Sequence, residues 1–339
     1  EISCSLVGSE MCIRDSGKDV LTDMMNKIIH RGPDSAGQYI DDKAYMGFRR
    51  LSIIDLDNGS QPMFNENKKI VITFNGEIYN YQDLRKDLIE KGHIFANNSD
   101  TEVLIHAYEE YGEDMLNKLR GMFAFVIWDS EKETLFGARD FFGIKPVYYA
   151  EIDGHFVFAS EIKSILAFPG YERKVNQKAL EQYLSFQYSP LEETFFKGIY
   201  KLMPGHMLLY KNGNYEIKTY FKTKLTPDKW NRKTNMDQLR SQLAEILKDS
   251  VKHHMLSDVE VGAFLSGGVD SGYLASSSGA DQAFTVGFDE GDRYSEVNKA
   301  AKVAEKAGLK HHVKIISKQE FWDALPDVMY HMDEPLGDA

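Results

Sequence analysis

The chain has 339 residues, room for two domains, and a hydrophobic share of 42% that supports a proper core. Its net charge of −12 leaves no dominant basic face, which argues against a nucleic-acid or membrane-surface partner. No apolar run approaches a membrane span, and the longest informative one, over 122–128, suits a buried strand. The only cysteines are Cys4 and Cys12, neither a disulfide framework nor a CxxC metal site, so a reducing, cytoplasmic setting is the default expectation. The histidine pairs His253-His254 and His311-His312 point apart on a helix or strand and read as solvated or structural.

Residues 1–16 fit poorly with the rest of the chain. They lack the basic start and apolar length of a signal peptide and read as a foreign segment. The pattern becomes coherent at Gly17. Val20, Leu21, Met24, Met25, Ile28 and Ile29 recur at helical spacing, and Arg31-Gly32-Pro33 ends that helix. A strand starting at Tyr45 leads into Arg50-Leu51-Ser52-Ile53-Ile54, and a second over 69–74 stops at Asn75-Gly76-Glu77. A helix from about Tyr81 places Leu84, Leu88 and Ile89 on one face and ends at Gly92. Ser99 and Glu102 have the spacing of a capping box before a helix over 103–111. Strands rich in aromatic and β-branched residues come next, over 122–128, 134–138, 146–150 and 156–159. This order predicts packed sheets with helices on their outer faces.

After a strand over 207–210 the composition shifts. Residues 222–235 are polar and aperiodic, and the expected division is a first domain over 17–212, a linker over 213–235 and a second domain over 236–339. Leu239, Leu243, Ile246, Leu247 and Val251 mark an amphipathic helix. Strand and helix then alternate: a strand over 259–265, a helix after Ser271, then 283–288, 296–307, 312–316 and 321–330. Such alternation predicts a parallel sheet covered by helices, with ligands at the carboxyl ends of the strands.

The stretch Leu265-Ser266-Gly267-Gly268-Val269-Asp270-Ser271 sits at one such end. A strand, a Gly-rich turn and a helix N-terminus collect backbone N–H groups around an anion. Ser266 and Ser271 add hydroxyl donors, and Asp270 can hold a metal that neutralises phosphate charge. A lone Ser-Gly-Gly would be a ligand-free connection; the whole run resembles the pyrophosphate loop of enzymes that adenylate a substrate. It lacks the lysine of a Walker A loop, which disfavours transfer of a terminal phosphate.

In the first half, Asn75 and Gly76 offer a side-chain amide and a backbone N–H to a developing oxyanion, although an Asn-Gly pair alone is more often a hairpin turn. Arg50 offers a planar fork for a carboxylate, against the plain alternative of an internal ion pair. Asp100 offers a counter-charge for an ammonium group, against a role as an acid in the first turn of a helix. Together the three describe an α-amino acid with a reactive acyl group.

Arg31-Gly32-Pro33-Asp34, Arg50-Leu51-Ser52-Ile53-Ile54-Asp55, Asn75-Gly76-Glu77-Ile78-Tyr79-Asn80, Ser99-Asp100-Thr101-Glu102 and Gly121-Met122-Phe123-Ala124-Phe125 resemble class II glutamine amidotransferases. Arg139-Asp140-Phe141-Phe142-Gly143-Ile144-Lys145-Pro146 and Ala159-Ser160-Glu161-Ile162-Lys163 continue the match. With the loop at Ser266, the combination is similar to the glutamine-hydrolysing asparagine synthetases from about Gly17 onward. The resemblance implies an N-terminal-nucleophile αββα sandwich, of class α+β, followed by an incomplete α/β domain with a parallel sheet like that of the adenine nucleotide α-hydrolases. It also implies that an N-terminal cysteine attacks the glutamine amide, with its own α-amino group as base. Arg50, Leu51, Ser52, Ile53, Ile54, Asn75, Gly76, Glu77 and Asp100 would bind glutamine, with Asn75 and Gly76 as the oxyanion hole. Ammonia would pass inside the protein to the second domain. There ATP would adenylate aspartate, and ammonia would displace AMP to give asparagine. Leu265 and Val286 would flank the adenine; Ser266, Gly267, Gly268, Asp270 and Ser271 would hold pyrophosphate and Mg²⁺. Glutamine, aspartate and ATP are thus the implied partners, with a homodimer as the implied assembly.

Two departures qualify the match. Cys4 is the positional candidate for the nucleophile, yet three residues precede it and it has no free α-amino group; Cys12, its rival, leads into a poor strand. A thiol of ordinary pKa, about 8.5, is mostly protonated at neutral pH without an adjacent base. The second domain also lacks a later acidic, Gly-containing motif of the family. A fragment that binds glutamine better than it makes asparagine is therefore expected. A relative amidating another carboxylate, a non-catalytic glutamine-binding module and a β-lactam-forming relative are the competing readings.

Overall fold

The computed structural model describes residues 2–8, 14–51, 59–224, 235–289, 295–335 and 337, with side chains from Gly17 onward. The chain divides into two compact units, 1–223 with 332–339, and 224–331.

In the first unit β1 (Ile2–Gly8) and α1 (Arg14–Asn26) precede β2 (Ser35–Ile40), β3 (Ala44–Arg50), β4 (Met63–Phe64) and β5 (Ile70–Ile78). Then come α2 (Tyr81–Glu90), α3 (Asp100–Tyr111), β6 (Gly121–Asp129), β7 (Thr134–Arg139), β8 (Tyr148–Ile152) and β9 (His155–Ala159). The unit is completed by α4 (Ile162–Ile165), α5 (Gln177–Phe186), β10 (Ile199–Lys201), β11 (His206–Lys211) and β12 (Asn214–Thr219). The strands form two six-stranded sheets, ordered β10-β8-β9-β1-β3-β2 and β12-β11-β7-β6-β5-β4, with antiparallel pairing throughout both.

Strand alternation sorts the apolar side chains into three layers. On β5, Ile70, Ile72, Phe74 and Ile78 pack against Leu84, Leu88 and the apolar face of α3. Val71 on the opposite face joins Val126 and Trp128 against Met46, Phe156 and Phe158 of the other sheet. That sheet turns Tyr45, Val157 and Ala159 outward to Leu21 and Met24 of α1, to Ile28 just beyond it and to α4. The result is helix, sheet, sheet, helix, as the sequence predicts.

The expectation that residues 1–16 stand apart needs correction over Ile2–Gly8. This stretch pairs with β3 on one side and β9 on the other, so it is an inner strand of its sheet. The physical reason is that β3 and β9 each present an edge that only a strand between them can satisfy. The linker is also shorter than the expected 213–235, because Asn214–Thr219 pairs along β11. Ile89 is exposed, off the buried face that Leu84 and Leu88 define.

The repeated motifs act as clamps. The Asp140 carboxylate, 1% exposed, accepts from four backbone N–H groups, those of Phe123, Phe142, Ile144 and Lys145. Arg139 donates to three carbonyls, of Gly143, Lys145 and Leu202, each at 2.7 Å. Farther round, Glu161 joins two distant motifs: it takes Arg31 at 2.9 Å, His30 at 3.2 Å, and Lys163. Burial pushes the Glu161 carboxyl up, but hydrogen bonds from Lys163 and Arg31 outweigh it and hold the group below its ordinary range. Lys163 also pairs at 3.0 Å with Asp333, whose segment packs with this unit.

The second unit holds α6 (Met236–His254), β13 (Ala263–Phe264), α7 (Val269–Ser277), β14 (Gln282–Phe288), α8 (Val297–Ala307), β15 (Lys310–Ile316) and α9 (Lys318–Met332). Its strands pair in parallel in the order β13-β14-β15. The strand expected over 259–265 is reduced to Ala263–Phe264, which pair with Ala283 and Phe284 of β14. One sheet face buries Ala283 and Thr285, whereas Phe284, Val286 and Phe288 on the other are exposed. No helix among the described residues is long and apolar enough to cross a membrane.

Asp140→Ala would strip a charged acceptor from four donors, and a loss of about 3 kcal/mol in unfolding free energy is expected. Urea denaturation of the variant checks this, and a loss below about 1 kcal/mol would remove Asp140 from its role as clamp.

Candidate functional site

Three expected residues converge on the end of β5. Asn75 is 1% exposed, and among the described residues its amide nitrogen Nδ2 has no hydrogen-bond partner. Such a buried donor carries a desolvation cost of about 1–3 kcal/mol unless something accepts from it. Alternation places Asn75 on the face of β5 that carries Val71, between the two sheets.

Gly76 comes next, with φ of +150°, and a Cβ there would lie 2.1 Å from the Met122 carbonyl oxygen. No larger residue fits without moving β6. The direction of its N–H is set by its neighbours. The Phe123 N–H and C=O, opposite Gly76 in the ladder, are both turned to Asp140. Gly76 and Phe123 are therefore a non-hydrogen-bonded pair, and the Gly76 N–H faces the outer edge of β5. On that edge the Phe74 N–H donates to Gln61 Oε1 at 2.7 Å, and the Ile78 N–H donates to Asp100 Oδ2 at 3.0 Å. The Gly76 donor lies between them.

Gln61 is a site residue that the sequence does not mark. Its amide also donates to the Phe74 carbonyl at 3.1 Å, so one side chain mimics a strand partner. An isolated Gln in a Pro-containing loop carries no local signal for this. Asp100 opens α3, whose N-cap Ser99 accepts from the Glu102 N–H at 3.3 Å as the capping spacing predicts. The Glu102 carboxylate reaches Ala96 and Asn97 N–H instead of closing the box on Ser99. Burial pushes the Asp100 carboxyl up to about 7; the Ile78 N–H opposes this and the nearby Glu77 charge adds to it.

Arg50 ends β3 and is 4% exposed. Its backbone is fixed by Pro33, which bridges to it, and by the Asp34 N–H, which donates to its carbonyl at 3.0 Å. A Cβ on Gly32 would sit 2.3 Å from the Arg49 carbonyl carbon, which explains the glycine of that motif. Leu51 is exposed, and Ser52, Ile53 and Ile54 lie outside the described residues. Cys12 also lies outside them. The backbone of Cys4 pairs with Gly47 and Ala159. That register sets it three positions back along β3 from Arg50, and Ile2 is the residue opposite Arg49.

In the second unit Leu265 follows β13, and its N–H donates to the Phe284 carbonyl at 2.9 Å. Gly267 has φ of +77°, and a Cβ would lie 2.7 Å from Lys299 Cβ on α8. Ser266 and Ser271 hydroxyls touch at 2.9 Å, and the Ser271 hydroxyl accepts from the Ser266 N–H at 3.2 Å. The loop thus closes on itself and delivers Gly268 as N-cap of α7, with exposed Asp270 in the first turn. No side chain caps that helix end, so its first N–H groups remain available. Leu265 is buried with Ala275, Ala283 and Ala300, whereas Val286 lies on the opposite, exposed face of the sheet. Their side chains are not brought together.

The glutamine amidotransferase domain family matches residues 3–221, and the asparagine synthase family matches residues 242–339. The chain is 42% identical over 326 residues to asparagine synthetase [glutamine-hydrolyzing] 1 of Bacillus subtilis, covering 95% of this chain and 51% of that protein. It is 37% identical over 334 residues to a putative asparagine synthetase [glutamine-hydrolyzing] of Mycobacterium bovis, covering 91% and 50%. Among solved structures, it is similar to the glutamine phosphoribosylpyrophosphate amidotransferase from B. subtilis complexed with ADP and GMP. That likeness has 18% identity and a TM-score of 0.49, over 92% of this chain and 65% of the other. The chain spans about half the length of the curated relatives it matches. Its first 221 residues carry the longer match, and the chain belongs to the glutamine amidotransferase family, with a segment of the asparagine synthase family following that domain.

Proposed function

We infer that the protein makes asparagine from aspartate, using ATP and the amide nitrogen of glutamine. The observation that carries this is the buried Asn75 amide, without a partner among the described residues, beside the edge-facing N–H of Gly76. Two donors on adjacent residues suit the oxygen of a tetrahedral intermediate, where charge develops as a nucleophile adds to the glutamine side-chain amide. Arg50 holds the glutamine α-carboxylate, and Asp100, with Glu77 nearby, holds its ammonium group. Collapse of the intermediate expels ammonia, and water then releases glutamate.

In the second unit the loop 266–271 binds the phosphates of ATP on the N-terminus of α7. The aspartate side-chain carboxylate attacks the α-phosphorus, pyrophosphate leaves, and β-aspartyl-AMP forms. Ammonia adds to the acyl carbon, AMP leaves and asparagine results. Asp270 with the Ser266 and Ser271 hydroxyls is an all-oxygen donor set of the kind that holds Mg²⁺ jointly with phosphates, and that ion would neutralise the pyrophosphate charge. The parallel order of β13, β14 and β15 supports this placement, since the loop follows a strand's carboxyl end.

The synthetic step is tested by aspartate-dependent exchange of labelled pyrophosphate into ATP by the protein. Exchange that depends on another carboxylate and ignores aspartate would replace the proposed acceptor. For the first unit, glutamine binding by calorimetry is expected to weaken at least about tenfold in Arg50→Ala, the order expected when one charge-assisted contact is lost. Asp100 also sets a pH dependence. Its carboxyl titrates near 7, and only the ionised form attracts the ammonium of glutamine. Affinity should rise about tenfold per unit as pH climbs toward 7 and level off above it, while Asp100→Asn stays weak and flat. Wild-type binding that is constant from pH 6 to 8 would take Asp100 out of the site.

A further inference from the structure

A second polar cluster lies on the far part of α3. His93 follows α2, and His106 and Glu109 are three positions apart on α3. The side chains of His93, His106 and Glu109 are 16%, 1% and 22% exposed. Glu109 Oε2 lies 2.8 Å from His106 Nδ1 and 3.6 Å from His93 Nδ1. The three residues each offer a ligand atom, all within 4.8 Å of one another.

The geometry points to a binding site for a divalent transition cation, zinc in the first instance, made by His93, His106 and Glu109. Tetrahedral zinc with bonds of about 2.0–2.2 Å sets neighbouring ligand atoms about 3.3 Å apart. The two Glu109 separations fall on either side of that value, and the two histidine ligand atoms lie within 4.8 Å of each other, so the imidazoles would close on the ion as it binds. Two imidazoles and one carboxylate favour zinc, copper or nickel over magnesium and calcium.

The outer partners strengthen the assignment. His106 Nε2 faces Glu102 Oε1 at 3.9 Å, and His93 Nε2 faces Glu110 Oε2 at 3.4 Å. The remaining oxygen of Glu109 accepts from Asn65 Nδ2 at 2.7 Å. His93 and Glu109 are thus held from behind, with Glu102 near enough to His106 to pair electrostatically, and carboxylates behind histidines fix the ring orientation that metal binding needs. The plain alternative is an ion-paired cluster in which His106 bridges Glu102 and Glu109. His93 joins that cluster through Glu109 and Glu110, so metal binding itself separates the two.

The test is zinc titration by calorimetry of the chelator-treated chain, with thermal unfolding alongside. One zinc per chain and a raised unfolding midpoint are expected. His93→Ala should weaken zinc binding at least about tenfold, and Glu110→Gln by about tenfold, the range set by loss of an outer partner. Glu110→Gln should shift the midpoint in chelator little, because that side chain is 32% exposed and its pairs with Lys91 and His93 are weak surface ones. Cobalt(II) in place of zinc should give d–d bands without thiolate charge transfer, which excludes a site at Cys4 or Cys12. Absence of zinc binding, thiolate bands, or unchanged affinity in His93→Ala would each overturn the proposal.

Discussion

Everything in the first unit turns on β5 having two buried faces and one incomplete edge. Its even-numbered side chains are committed to α2 and α3, and its odd-numbered ones to the opposite sheet. Moving the register by one residue would exchange these sets, placing Phe74 between the sheets and Asn75 under a helix. The position of Asn75 is therefore secured by the apolar residues around it. The missing Cβ of Gly76 allows Met122 to approach, and Asp140 draws the backbone of Phe123 the other way. The Gly76 donor faces outward between Gln61 and Asp100, which accept from Phe74 and Ile78.

Much of the motif content serves this purpose at a distance. Asp140 and Arg139 shape one loop by collecting backbone groups, and Glu161 draws Arg31 and Lys163 into a buried ion cluster. Neither cluster includes Asn75. Removing one member would leave charges or donors buried without compensation, which is costly however remote the chemistry. Motifs that look catalytic in a one-dimensional reading are, in large part, the supports of the strand ends.

The layered architecture was legible because β-branched and aromatic runs alternate with helical spacing, and the chain obeys both periods. The loop at Ser266 was legible because its glycines, serines and adjoining helix agree with a single conformation. Other parts were not. Gln61 acts across the fold on Phe74, and only the folded chain reveals the pair. Strand β1 lacks a strong period, yet the two strands flanking it impose one. Leu265 and Val286 are both apolar residues by strand ends, and nothing local foretells that they face opposite ways. His93 and His106 give no signal in the chain, since a turn and a helix, thirteen positions apart, have to meet first.

The side-chain caps on β5 have a further effect on how molecules meet. An exposed sheet margin with a row of free amides invites strand addition from another chain. Here Gln61 and Asp100 occupy the positions on either side of Gly76. An incoming polypeptide would find two of its ladder positions, at Phe74 and Ile78, already taken by side chains of this chain, whereas a small molecule needs no ladder. The margin that would otherwise promote self-association is thereby closed to strand addition at those two positions.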